Sequence, residues 1–100
     1  MKSPFPKETY NRNATIYRIL ANATRLEILN ILKLREAAVE DLVKILKLPK
    51  ANVSQHLAIL RNARLVRRRV ANARVYYTIV DPRLVEPCRI LRDIWKSSQW

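Results

Sequence analysis

The run KANVSQHLAILRN, Lys50 to Asn62, sets base-reading side chains at the start of an amphipathic helix. Asn52 and Gln55 each place a donor beside an acceptor, which matches the adenine edge bidentately, and Lys50 donates to guanine or to a phosphate. Ser54 is short enough for close backbone approach, and Ala51 offers a methyl to a thymine methyl. The bland alternative is a set of ordinary solvated polar residues. Arg61, Arg67, Arg68, Arg69 and Arg74 are phosphate candidates, and Asn72 and Arg74 are placed to reach a minor groove. Pairing with Glu or Asp elsewhere is the competing use of each arginine. Alternate residues on a strand face opposite ways, so Arg67 and Arg69 share one face and Arg68 takes the other.

Other chemistry is sparse. His56 is the only histidine, and one imidazole does not build a metal site without partners. A hydrogen-bonded place beside the core or a phosphate suits it better. Cys88 is the only cysteine, which excludes an internal disulfide and any multi-cysteine metal knuckle. Inert packing is its expected use, with a redox switch as the alternative. The chain has no glycine-rich phosphate loop, no Cys–His pair at a known spacing and no clear carboxylate dyad, so an enzyme is not expected. No cofactor and no metal are expected either.

The elements that must carry these residues are readable from periodicity and punctuation. Residues 1–13 read as a flexible arm, because Pro4 and Pro6 oppose regular structure, and 14–98 as the folded domain. Ile16, Ile19 and Leu20 recur at helical spacing from Ala14 to Ala21. Asn22 caps a helix over Ala23–Leu34, with Leu26, Ile28, Leu29 and Leu32 inward. Arg35 to Ala38 is a link. Val39 to Leu46 is a short helix burying Leu42, Val43 and Leu46. After the break at 47–49, Pro49 opens the next helix, since its missing N–H is an orphan there anyway. That helix carries Val53, Leu57, Ile59 and Leu60 on its inward side. Two short helices joined by a tight turn, the second polar and basic outside, form a helix-turn-helix that sets its second helix in a DNA groove.

Leu65 to Val70 and Arg74 to Val80 are strand-like, alternating β-branched and aromatic residues. Residues 71–73 form the hairpin tip, with Asn72 best able to take a left-handed backbone. Tyr76 and Tyr77 point opposite ways, one inward and one toward DNA. Asp81–Pro82 is a helix-start signature. Pro87 would remove an interior hydrogen bond from a helix begun there. A short turn at 82–85 and a helix from Glu86 or Pro87 to Ser97 resolve the conflict. Its stripe is Cys88, Leu91, Ile94 and Trp95, with Ile90 beside it. The chain has no glycine, so Asn62 or Arg64 must end the second helix of the motif. The fold class is mainly α with a small β-hairpin, a winged helix-turn-helix.

One hundred residues make one domain, and a net charge of +12 is unevenly spread over them. Between Asp41 and Asp81 there is no acidic residue, while Lys44, Lys47, Lys50, Arg61, Arg64, Arg67, Arg68, Arg69 and Arg74 all fall there. Such a field attracts polyanions, and it coincides with the helix that carries the base-reading side chains. No apolar run approaches a membrane span, and the polar, proline-bearing start is unlike a signal peptide, so a cytoplasmic location is expected.

The stretches LANATRLEILNIL, VEDLVKILKLPKANVSQHLAILRNARLV and the wing ending in ArgValTyrTyr resemble the ArsR-type (arsenic-repressor-like) winged-helix repressors, over roughly residues 15–95. The resemblance implies a homodimer that binds operator DNA and releases it when an effector binds. It also implies dimerisation through the first and last helices, here through Ile16, Ile19, Leu20, Cys88, Leu91, Ile94 and Trp95. The family's metal sites do not carry over. Its thiolate site reads GluLeuCysValCysAspLeu, where this chain has Glu36-Ala37-Ala38-Val39-Glu40-Asp41-Leu42. Its other site takes Asp and His at the start of the last helix and two His near its end. Asp81 is retained, but Arg83, Ile94 and Ser97 stand in the three histidine places. A sulfide-sensing relative uses two cysteines; Asn30 occupies the first position and Cys88 does not align with the second.

The expected activity is therefore a sequence-specific, homodimeric regulator of transcription, a repressor on a palindromic operator in double-stranded DNA, with its effector unknown. Two rivals remain at this level. One is an architectural protein coating DNA without sequence preference. The other is an effector sensor with unorthodox metal ligands drawn from Glu36, Glu40, Asp41 and His56.

Overall fold

A computed structural model describes residues 1–98 and Trp100. Helix α1 spans Lys7–Leu20, α2 Ala23–Leu34, α3 Val39–Leu46, α4 Lys50–Asn62 and α5 Glu86–Lys96. Strand β1 is Ala37–Ala38, β2 Val66–Ala71 and β3 Arg74–Ile79, and a 3-10 turn over Pro82–Val85 leads into α5.

The caps explain most boundaries. The Asn22 side chain accepts from the Arg25 N–H at 3.1 Å and opens α2. The Asp41 carboxylate accepts from the Ala38 N–H at 3.0 Å and fastens the start of α3. Lys47, with φ 56°, ends α3 in a left-handed residue. Arg64, with φ 63°, ends α4. Its N–H reaches the Arg61 carbonyl and the Leu65 N–H reaches the Leu60 carbonyl, both at 2.9 Å, which is the Schellman pairing usually built on glycine. Asp81 caps the turn before α5 through the Arg83 N–H at 2.9 Å.

Some expectations shift. Helix α1 begins at Lys7, so the arm read over 1–13 gives up its last seven residues to the helix. Pro6 stands just outside the first turn, with φ −60°, and starts the helix rather than opposing it. The link at 35–38 contains β1, which pairs antiparallel with β3 through Ala37–Tyr77 and Ala38–Tyr76. Ile59 is exposed; Val53, Leu57 and Leu60 close the inward stripe at spacings of four and three, leaving Ile59 about 100° round from Leu60.

The sheet order is β1-β3-β2. One core joins α2, α3, α4 and the inner sheet face: Ile28, Leu29, Leu42, Val53, Leu57, Leu60 and Val85 are essentially inaccessible. Truncating one of these leucines to alanine costs about 2–5 kcal/mol. Leu20 joins this core too, because the last turn of α1 leans on α2; it is therefore committed inside the protomer, unlike the other expected interface residues.

Candidate nucleic-acid interface

Helix α4 exposes Lys50, Ala51, Asn52, Ser54 and Gln55 while Val53, Leu57 and Leu60 anchor its other side. The exposed residues divide into two groups. Lys50 and Ser54, with Arg61 further along the helix, line a cleft of about 430 Å³ between α4 and the β2–β3 hairpin. Ala51, Asn52 and Gln55 lie outside that cleft, on the outer face, and Ile59 adjoins them. An exposed apolar residue beside Gln55 and Asn52 was missed from sequence because its spacing also allows an inward place.

The hairpin register sorts the arginines. Arg67 pairs with Thr78, Arg68 with Tyr77 and Arg69 with Tyr76, and directly opposed residues share a sheet face. Tyr77 is buried, so Arg68 lies on the inner face, where it lines the cleft with Arg61 and Arg74. Of the three consecutive arginines read as phosphate candidates, Arg68 is the one that its place opposite the inward tyrosine brings into the cleft. Arg69 and Arg74 both lie over the Tyr76 ring, with guanidinium carbons 4.9 Å and 5.7 Å from its centroid.

Acidic side chains from the β1–α3 region engage this basic set. Arg69 Nε donates to Glu36 Oε2 at 2.7 Å, and this hydrogen bond holds the Glu36 carboxyl below the usual carboxylate range. Glu40 Oε1 lies 3.6 Å from Arg74 Nη2, and its Oε2 lies 3.7 Å from Lys50 Nζ. Asp41 also lies 3.9 Å from Arg74. Among the described residues, Arg61, Arg64, Arg67 and Arg68 take part in no such ion pair. At the tip, Asn72 and Ala73 both have positive φ, 52° and 61°, the conformation of a type I′ hairpin turn.

Glu36, Glu40, Asp41 and His56 do not form a ligand set. Each carboxylate faces a cation, and His56 faces Arg25 at 3.4 Å. Among the described residues, no group of three or more His, Cys, Asp or Glu is placed to hold a metal ion.

The remaining expected residues lie away from the cleft. Helix α5 exposes Ile90, Leu91, Ile94 and Trp95. Ile16, Ile19 and Cys88 are half-buried against the core edge. The Asn30 side-chain amide lies 3.5 Å from Cys88 Sγ, an approach that the 58-residue separation hid. Among the described residues, no helix is long and apolar enough to cross a membrane.

Residues 22–68 match the family model described as bacterial regulatory protein, arsR family. The chain is 40% identical over 76 residues to the HTH-type transcriptional regulator KmtR of Mycobacterium tuberculosis, which covers 76% of this chain and 58% of that relative, so it spans little more than half of that protein's length. It is 35% identical over 83 residues to the transcriptional repressor PagR of Bacillus anthracis, covering 82% of this chain and 83% of PagR. The homodimeric winged helix-turn-helix DNA-binding domain of Mb0332 from Mycobacterium bovis superposes with a TM-score of 0.80 at 27% identity, covering 97% of this chain and 93% of that one. These relatives are transcriptional regulators and not enzymes. Their shared fold and the match across the α2–β2 region assign this chain to the ArsR family of bacterial regulatory proteins.

Proposed function

We propose that this chain represses transcription by binding a palindromic operator in double-stranded DNA as a homodimer. The observation that carries the reading is the joint presentation of two kinds of group. The carboxamides of Asn52 and Gln55 are exposed on α4, and the basic cleft of Lys50, Arg61, Arg68 and Arg74 adjoins them. Carboxamides discriminate bases, whereas lysine and arginine hold phosphates. In this reading α4 enters a major groove, with Ala51, Asn52 and Gln55 along the base edges and Lys50 and Ser54 turned from them toward the cleft and the DNA backbone. Arg61 and Arg67 hold the flanking backbone, and Asn72 and Arg74 bring the wing to the neighbouring minor groove. Arg69 contributes through the wing that it fastens to Glu36.

The second copy packs on α1 and α5, covering Ile16, Ile19, Cys88, Leu91, Ile94 and Trp95. That arrangement places two α4 helices on half-sites about one helical turn or slightly more apart. The homodimeric Mb0332 domain supports it, as does the unpartnered apolar face of α5. An effector acts by favouring a dimer geometry in which the two helices miss their grooves.

Selection of bound DNA from a random duplex library at physiological salt tests the reading. A recovered palindrome is the expected result. Tight binding with no recovered motif would replace this reading with non-specific coating of DNA.

A further inference from the structure

Glu40 is the one acidic residue among the described residues that line the α4–hairpin cleft. Four cations line the same cleft, Lys50, Arg61, Arg68 and Arg74, and Glu40 lies against the first and the last of them. Its two oxygens are divided, Oε2 toward Lys50 at the start of α4 and Oε1 toward Arg74 beside the hairpin tip. A phosphodiester carries the same single charge and likewise presents two terminal oxygens. The Ser54 hydroxyl lines the same cleft and supplies a neutral donor.

We infer that the cleft is a backbone-phosphate site in which the Glu40 carboxylate stands in for the phosphate until duplex DNA displaces it. The inference deepens the DNA-binding reading and rests on it. Three features favour displacement over a permanent tie. The Glu40 contacts are long for ion pairs, 3.6 and 3.7 Å, and exposed to solvent, so they are weak. The cleft has more cations than one carboxylate neutralises. By contrast, Glu36 on Arg69 is a close, two-pronged pair of the kind that endures. Glu40 thus offsets part of the positive charge of the cleft and lowers affinity for every duplex alike, since all duplexes carry the same phosphates.

The test compares Glu40→Gln with Glu36→Gln, each in the wild-type background and in Lys50→Met/Arg74→Gln. Binding to the selected operator and to an unrelated duplex of equal length is titrated across salt. Glu40→Gln is expected to tighten both duplexes about three- to tenfold, as release of weak exposed pairs allows. That gain is expected to disappear in the Lys50→Met/Arg74→Gln background, where the salt slope flattens by roughly one to two units. Glu36→Gln is expected to give less than a twofold gain. Equal gains from the two glutamines, or a Glu40→Gln gain that survives loss of Lys50 and Arg74, would reduce the effect to general charge and overturn the inference alone. Exchange of chloride for inorganic phosphate at matched ionic strength is expected to change affinity less than twofold; a tenfold loss would make free phosphate the occupant. Absence of duplex binding by every variant would overturn the DNA-binding reading itself.

Discussion

Arg25 couples the end of α1 to α4 through His56. Its Nε donates to the Ile19 carbonyl at 2.7 Å, and its Nη1 lies 3.4 Å from His56 Nδ1. Arginine only donates, so Nδ1 accepts and the imidazole proton is assigned to Nε2. One side chain of α2 thereby spans from the helix assigned to dimerisation to the helix assigned to DNA. Arg25→Ala leaves the Ile19 carbonyl and the imidazole without this donor and is expected to cost about 1–3 kcal/mol. A urea midpoint within 0.2 M of wild type, about 0.2–0.6 kcal/mol, would show that the bridge contributes little.

The hairpin tip is strained where glycine would relieve it. Ala73 holds φ 61° with a β-carbon in place, a conformation that costs about 1–2 kcal/mol for an ordinary residue. Ala73→Gly removes that cost but loosens the unfolded chain, and a net gain of about 0.5–1 kcal/mol is expected. Thermal and denaturant unfolding check it. A loss of stability would mean that the turn is not of the I′ type.

Acid sensitivity centres on Asp81. The Arg83 side chain, and then the Arg83 N–H, hold its carboxyl down from 3.8 to about 2. Between those values the unfolded chain binds the proton and the folded chain does not. The contribution is therefore complete above about pH 4 and is lost as pH falls toward 2. Asp81→Asn is expected to flatten the stability profile in that window and leave its shape at neutral pH unchanged. An acid limb identical to wild type would place the sensitivity elsewhere.

The α5 surface makes a prediction about assembly. Leu91 is exposed on the protomer, so Leu91→Asp is expected to leave the fold intact and convert the proposed dimer to monomer. Sedimentation velocity with circular dichroism separates the two effects. A folded variant that remains dimeric would move the interface off this face.

Helix positions were largely readable because their punctuation is local. Asn22, Pro49 and Asp81 mark starts, and the bounds of α2 and α3 match their apolar stripes. The start of α1 was not readable, since its first turns carry polar residues with no stripe to mark them. Strand β1 was hidden in two alanines whose partners, Tyr76 and Tyr77, follow about forty residues later. The cleft was half readable. Exposure of Lys50, Asn52, Ser54 and Gln55 follows from helical spacing, and the opposed faces of Arg67 and Arg68 follow from strand alternation. That Glu36 and Glu40 would reach Arg69 and Arg74 depends on the β1–β3 pairing, which no local pattern announces. Leu20 was assigned outward because its spacing serves either side of α1, and only the crossing with α2 decides.

Glycine-free corners have a mechanical consequence. Lys47, Arg64, Asn72 and Ala73 turn the chain at the ends of α3 and α4 and at the hairpin tip, each with a β-carbon and a left-handed backbone. A side chain at such a corner narrows the dihedral well around it, so these joints are stiff rather than compliant. In the proposed DNA-bound dimer, the wing and α4 then tilt as one rigid plate, and accommodation to a curved duplex falls to rotation of one whole protomer against the other.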